Sequence, residues 1–104
     1  MSAITVRRDL RGQFGPARDQ GGRETCLAFA MSDAHAAARG APWSPLCSES
    51  LFYRAKQRDK TPPQVGTTIS AIRAALEQDG QPVETAWPYL KKLPNDLAKW
   101  KPPA

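Results

Sequence analysis

Cys26 is the residue in this chain whose neighbours best equip it for chemistry. It ends the run Asp19-Gln20-Gly21-Gly22-Arg23-Glu24-Thr25-Cys26 and precedes Leu27-Ala28-Phe29-Ala30. A polar, glycine-rich loop thus delivers a thiol to the first turn of a predicted helix. The partial positive charge of a helix N-terminus favours thiolate over thiol, and the thiolate is the attacking species. A cysteine nucleophile also needs a base. The sole histidine, His35, lies nine positions further along the same predicted helix. Nine residues turn a helix by about 900° and advance it by about 13 Å, so His35 faces the opposite side and has a structural or surface role.

The elements that must position Cys26 follow from caps and apolar spacing. The first helix begins at about Thr25 or Cys26, with the Thr25 hydroxyl available as a cap. Leu27, Ala30, Met31, Ala34 and Ala38 form its predicted apolar stripe, and Gly40 followed by Pro42 stops it. A second helix is expected over residues 48–57, with Ser48 as N-cap, Glu49 in the first turn, and Leu51, Phe52 and Ala55 facing inward. Residues 59–64, containing Pro62-Pro63, read as a loop. A third helix over residues 68–79 buries Ile69, Ile72 and Leu76 and ends at Gly80. Beyond it, Trp87-Pro88-Tyr89 reads as an apolar anchor in extended backbone. Asn95 is placed to cap a single turn through Asp96, Leu97 and Trp100. Residues 1–19 read as an extended lead-in, with Ala3-Ile4-Thr5-Val6 the only strand-like run.

Composition narrows the function classes. At 104 residues the chain is one small domain or part of a larger one, with a basic, proline-containing tail over residues 91–104. The net charge is +5 and the pI about 9.6, but bases and acids are interspersed. A nucleic-acid binder clusters its positive charge and interleaves aromatics, so no nucleic-acid partner is expected. No segment has the apolar length of a membrane span, and residues 1–8 lack the apolar core of a signal peptide. Two cysteines do not make a disulfide framework, so a reducing, cytoplasmic setting is expected. Cys47 reads as a packing thiol, and Asp33 and Glu49 as solvated or capping carboxylates. No Cys/His group has metal-ligand spacing, so neither a metal nor a cofactor is expected.

The segments Asp9-Leu10-Arg11, Gly15-Pro16-Ala17-Arg18-Asp19-Gln20-Gly21 and Thr25-Cys26-Leu27-Ala28-Phe29-Ala30 resemble the start of mature papain-like cysteine peptidases. Ser48-Glu49-Ser50-Leu51-Phe52 is similar to that family's second helix. The stretch from Gly66 to Gly80, followed by Trp87-Pro88-Tyr89, is similar to its third helix and the segment after it. The resemblance runs in order over roughly residues 9–90. It implies a mainly α fold, the helical left lobe of the α+β papain-like architecture, with no second β-rich lobe in this chain.

The resemblance assigns roles by position. Cys26 would be the nucleophile, and Gln20 would give its side-chain amide to the oxyanion hole beside the Cys26 backbone N–H. Donors placed in advance at a developing oxyanion lower the barrier to acyl transfer. Gly66 would line the cleft where substrate backbone passes, with Thr67 standing where the family has a second glycine. The family's aromatic after the cysteine is Leu27 here. Its disulfide cysteine shortly before the nucleophile is replaced in the Arg23-Glu24 region. Arg23 nearby would favour the thiolate and Glu24 would oppose it.

The family's catalytic His and Asn lie well over a hundred residues beyond the cysteine, past Ala104. The implied function is therefore a cysteine peptidase whose nucleophile and oxyanion donor are here. A second lobe or a second polypeptide would supply His and Asn, and a peptide or protein would be the substrate. The same parts would also serve amide ligation or deamidation. The alternative is a non-catalytic lobe that holds a protein or peptide on its exposed cleft face.

Overall fold

The computed structural model describes residue 15, residues 18–40 and residues 42–103. The candidate strand Ala3-Ile4-Thr5-Val6 and the Asp9-Leu10-Arg11 motif lie outside them. The described chain is mainly helical, with α1 (Cys26–Ala38), α2 (Ser48–Asp59) and α3 (Ile69–Asp79) followed by two short 3-10 turns, Glu84–Ala86 and Leu97–Lys99. Among the described residues β pairing is confined to one antiparallel bridge, Leu46 with Val83. Two backbone bonds flank it, Cys47 N–H to Pro82 at 2.8 Å and Glu84 N–H to Pro45 at 3.1 Å.

α1 starts at Cys26 as expected, but it turns a different face inward. Its buried residues are Ala28, Phe29, Ser32 and Ala36. Ala30, Ala34 and Ala38 of the predicted stripe are exposed, and Leu27 and Met31 are partly buried. Alanine lies on every side of this helix, so apolar spacing alone does not select a face. Phe29 and the polar bonds of Ser32 select it instead. The Thr25 hydroxyl makes no capping bond to α1.

α2 runs two residues beyond its predicted end. Its N-cap is Cys47, not Ser48: the Cys47 Sγ accepts the Ser50 N–H at 3.3 Å. Ser48 is buried as the first helical residue and accepts a bond from Arg18 at 3.0 Å. Leu51, Phe52 and Ala55 face inward as expected, but so do Glu49 and Lys56. Lys60 ends the helix in the left-handed region at φ 60°. α3 follows its expected signals closely. The Thr68 hydroxyl caps it by accepting the Ala71 N–H at 3.1 Å, and Gly80 ends it at φ 71°. Ile69, predicted inward, is 65% exposed in the first turn, and Ala71, Ile72 and Ala75 make the buried face.

The core joins α2 and α3 through Leu51, Phe52, Ala55, Ala71, Ile72 and Ala75, and adds Cys47, Trp87 and Trp100. Trp87 is the anchor expected of the Trp-Pro-Tyr segment. Tyr53 meets Trp87 and Trp100 edge-on, with centroids 5.5 and 5.0 Å apart. Residues 91–103 are not simply a tail, because Trp100 is buried and Leu93 packs on the core. Asp96, not Asn95, caps the last 3-10 turn by accepting the Ala98 N–H at 3.1 Å.

Glu49, expected to be solvated or capping, is fully buried. Its carboxylate takes both arms of the Arg23 guanidinium at 2.6 and 2.9 Å. It also accepts the Leu90 N–H at 2.9 Å and the Trp100 indole N–H at 2.8 Å. Removing one member of such a pair strands the other in the interior, at a cost of about 3–5 kcal/mol. We expect Arg23→Met to destabilise the chain by about that amount in urea unfolding followed by tryptophan fluorescence. Arg23→Met combined with Glu49→Leu is expected to recover only part of the loss, because the Leu90 and Trp100 N–H groups then lose their acceptor. A double variant no better than the single one would refute the stranded-charge account.

Candidate functional site

The turn before Cys26 is built from short-range bonds. The Gly21 N–H donates to the Asp19 carboxylate at 2.8 Å, closing the first half of the loop. That N–H and then the charge of Lys91 hold the Asp19 carboxyl below its usual range. Gly21 has φ 69°, a conformation that glycine adopts without steric cost. A Cβ there would also lie 3.2 Å from the Lys91 carbonyl. The Gln20 side-chain amide donates to the Arg23 carbonyl at 2.8 Å, closing the second half. Arg23 then plunges into the core toward Glu49 and donates to the Leu90 carbonyl at 2.6 Å. The Tyr89 hydroxyl donates to the Gln20 carbonyl and meets the Thr25 hydroxyl at 2.8 Å, joining the two ends of the loop.

Cys26 emerges from this turn as an exposed, free thiol on the first residue of α1. Gln20 is only a few residues away, but among the described residues its amide bonds to the loop itself. Gly66 lies beside the same turn: a Cβ on it would sit 3.8 Å from the Glu24 carbonyl. The structure therefore brings Gly66 against the segment leading into Cys26. The Thr67 hydroxyl instead donates to Asp59 at 2.6 Å. Arg23 is spent on Glu49, while Glu24 is exposed to solvent. Beside this turn an open cleft of about 390 Å³ is lined by Gly22, Glu24, Pro63, Gln64 and Leu93, with Lys91 and Lys92 among its walls.

The Gly66 segment, which does not itself line this cleft, has its own support. The ammonium of Lys56, a side chain only 3% exposed, donates to the Gly66 carbonyl at 2.8 Å and also to the Thr61 hydroxyl. Asp59 accepts from Thr67, from the Thr61 N–H at 2.9 Å and from the Thr61 hydroxyl at 2.7 Å. Burial raises the Asp59 carboxyl, but these bonds and Lys56 outweigh it and bring it down to about 2.

The other candidates lie apart from Cys26. His35 bonds through Nδ1 to the Gln81 side chain at 3.0 Å, and Gln81 in turn reaches Ser32 and the Cys47 carbonyl. Asp33, expected to be solvated or capping, pairs with Arg18 at 3.0 Å. Cys47 is buried as a packing thiol. Burial pushes its thiol up, and the charges of Glu84 and Glu49 add to this against the Ser50 N–H. Among the described residues no group of three or more His, Cys, Asp or Glu could hold a metal ion. Nor is any described helix long and apolar enough to cross a membrane. Sequence reasoning missed Lys56, the Glu49 anchor and the Tyr89 tie, because each acts on a partner distant in sequence. Compared with protein-family models, curated proteins and solved structures, the chain matches none of them.

Two measurements follow. A thiol reagent is expected to titrate one cysteine in the native chain and two in denaturant, with Cys26→Ser abolishing the native reaction. Two native thiols of similar rate would contradict the burial of Cys47. For Asp59 the folded-state value lies below the unfolded one, so its contribution to stability is complete above the ordinary carboxyl range. It is lost as pH falls toward about 2. The stability gap between wild type and Asp59→Asn is expected to hold steady from about pH 5 to pH 8 and to close on acidification below about pH 4. A gap independent of pH would show that the carboxylate charge plays no part.

Proposed function

We propose that this chain is the nucleophile-bearing helical lobe of a papain-like cysteine peptidase acting in the cytoplasm. One observation carries the reading: Cys26 stands exposed on the first turn of α1, on a loop fixed from three directions, with the Gly66 backbone alongside. In the reaction the Cys26 thiolate attacks a peptide carbonyl carbon. A C–S bond forms and the carbonyl electrons move to oxygen, which accepts hydrogen bonds from the Cys26 N–H and the Gln20 amide N–H. For Gln20 to do so, its amide must present its second N–H or leave the Arg23 carbonyl. The C–N bond then breaks, the amine departs with a proton from a histidine, and water hydrolyses the thioester. His35 is turned to Gln81, so that histidine, with its orienting Asn, belongs to a second lobe or chain.

The non-catalytic alternative draws on a different observation. The Gln20 amide is already engaged within its loop, and Val65 and Ile69, on either side of Gly66, expose 46% and 65% of their surface. On that reading the same face holds a peptide without cleaving it.

A peptide-linked chloromethyl ketone and iodoacetamide separate the readings. Mass analysis is expected to show one peptidyl adduct at Cys26, formed at least about tenfold faster than on an unstructured cysteine peptide. It should be absent in Cys26→Ser and slowed in Gln20→Ala, with iodoacetamide labelling of Gln20→Ala largely preserved. A peptidyl reagent that binds the chain yet alkylates Cys26 no faster than the free peptide would favour the binding module.

A further inference from the structure

Among the described residues, four helical turns begin at a residue whose side chain can accept a hydrogen bond. Cys47, Thr68 and Asp96 have extended backbone, and each side chain accepts an N–H from its own first turn. Thr25, at the start of α1, is the exception. Its φ of −109° and ψ of 18° are not extended, and its hydroxyl makes no bond to the helix. The uncapped turn is the one that carries Cys26.

The Thr25 hydroxyl is turned instead to a partner 64 residues away in sequence. Tyr89 has one hydroxyl proton and gives it to the Gln20 carbonyl. The Thr25 hydroxyl must then donate to the Tyr89 oxygen, which it meets at 2.8 Å. Thr25 is 1% exposed, so water does not compete for it. The Tyr89 ring is held independently of its hydroxyl, edge-on to Phe29 at 4.6 Å and under the Arg23 guanidinium at 5.1 Å.

We propose that Tyr89 is a positioning residue for Cys26. By holding the Thr25 hydroxyl away from the first turn of α1, it leaves the Leu27 and Ala28 N–H groups, which a cap would engage, to contribute their positive field to the Cys26 thiolate. This rests on the reading of Cys26 as a nucleophile. A free Thr25 hydroxyl would swing to the Leu27 or Ala28 N–H, as threonine does at an ordinary helix start. The helix would gain a cap, and the thiolate would lose part of its local positive field.

Tyr89→Phe deletes only the hydroxyl and keeps the ring contacts. Iodoacetamide labelling of Cys26, followed by mass across pH, is expected to slow about fivefold at neutral pH, with its profile displaced to higher pH. Adding Thr25→Val, which has no hydroxyl to cap with, is expected to restore the rate to within about twofold of wild type. The adduct count reports folding in the same samples, since an unfolded chain takes a second label on Cys47. A slow Thr25→Val, by itself, overturns the proposal even if the Tyr89→Phe chain unfolds. An unchanged Tyr89→Phe profile, with a wild-type midpoint below that of a free cysteine peptide, overturns the role of Tyr89 alone. So does a double variant that stays slow, since Tyr89 would then act through packing. A wild-type profile matching the free peptide overturns the nucleophile reading and this inference with it.

Discussion

The Glu49 carboxylate is the constraint on which the rest of this small structure depends. A charge taken wholly out of water is unfavourable by several kcal/mol unless its partners are all in place. Four donors close around it: two from Arg23, the Leu90 N–H and the Trp100 indole N–H. They come from the loop before α1, from the segment after the first 3-10 turn, and from the buried tryptophan near the C-terminal end. Three distant stretches must therefore assemble on one helix together. The Arg23 guanidinium is held between rings as well, 5.6 Å from the Phe52 centroid, 5.1 Å from Tyr89 and 6.0 Å from Trp100.

α2 carries a second such anchor. Glu49 and Lys56 are seven residues apart, about two turns, and so share one face of the helix. Phe52 lies between them in sequence, with the Lys56 ammonium 5.9 Å and the Arg23 guanidinium 5.6 Å from its ring centroid. The Cys26 turn hangs from Glu49 through Arg23, and the Gly66 segment hangs from Lys56 through its carbonyl. Both segments are thus indexed to the same rigid rod. Their separation is set by side-chain reach from α2, not by the loops themselves, whose own bonds are mostly local and solvent-accessible.

What could be read in the sequence was local chemistry. Thr68 and Gly80 bound α3 because a hydroxyl cap and a left-handed glycine need no distant partner. Cys26 at the head of α1 and the inward face of Leu51, Phe52 and Ala55 were legible for the same reason. The failures have one source. Glu49 looks like a surface carboxylate until Arg23, 26 residues earlier, is brought to it. Thr25 looks like a cap until Tyr89 claims its hydroxyl. The alanines of α1 favour no side of the helix until Phe29 and Ser32 meet their neighbours. For the site, only the resemblance placed Gly66 on the cleft that Cys26 would serve, and the structure sets Gly66 beside the Glu24 backbone. The bond from the Gln20 amide to the Arg23 carbonyl is a matter of rotamer and loop geometry, which order does not encode.

The support of the Cys26 turn also contains no sulfur–sulfur bond. Both cysteines are free, one exposed and one buried, and the loop is fastened by a guanidinium–carboxylate clasp and a pair of hydroxyls. Reductants that keep a surface thiol free therefore leave the scaffold untouched. Oxidants meet Cys26 at the surface while the interior thiol stays shielded. Thiol oxidation is in this way directed to the exposed Cys26, and the contacts that fasten its turn contain no sulfur.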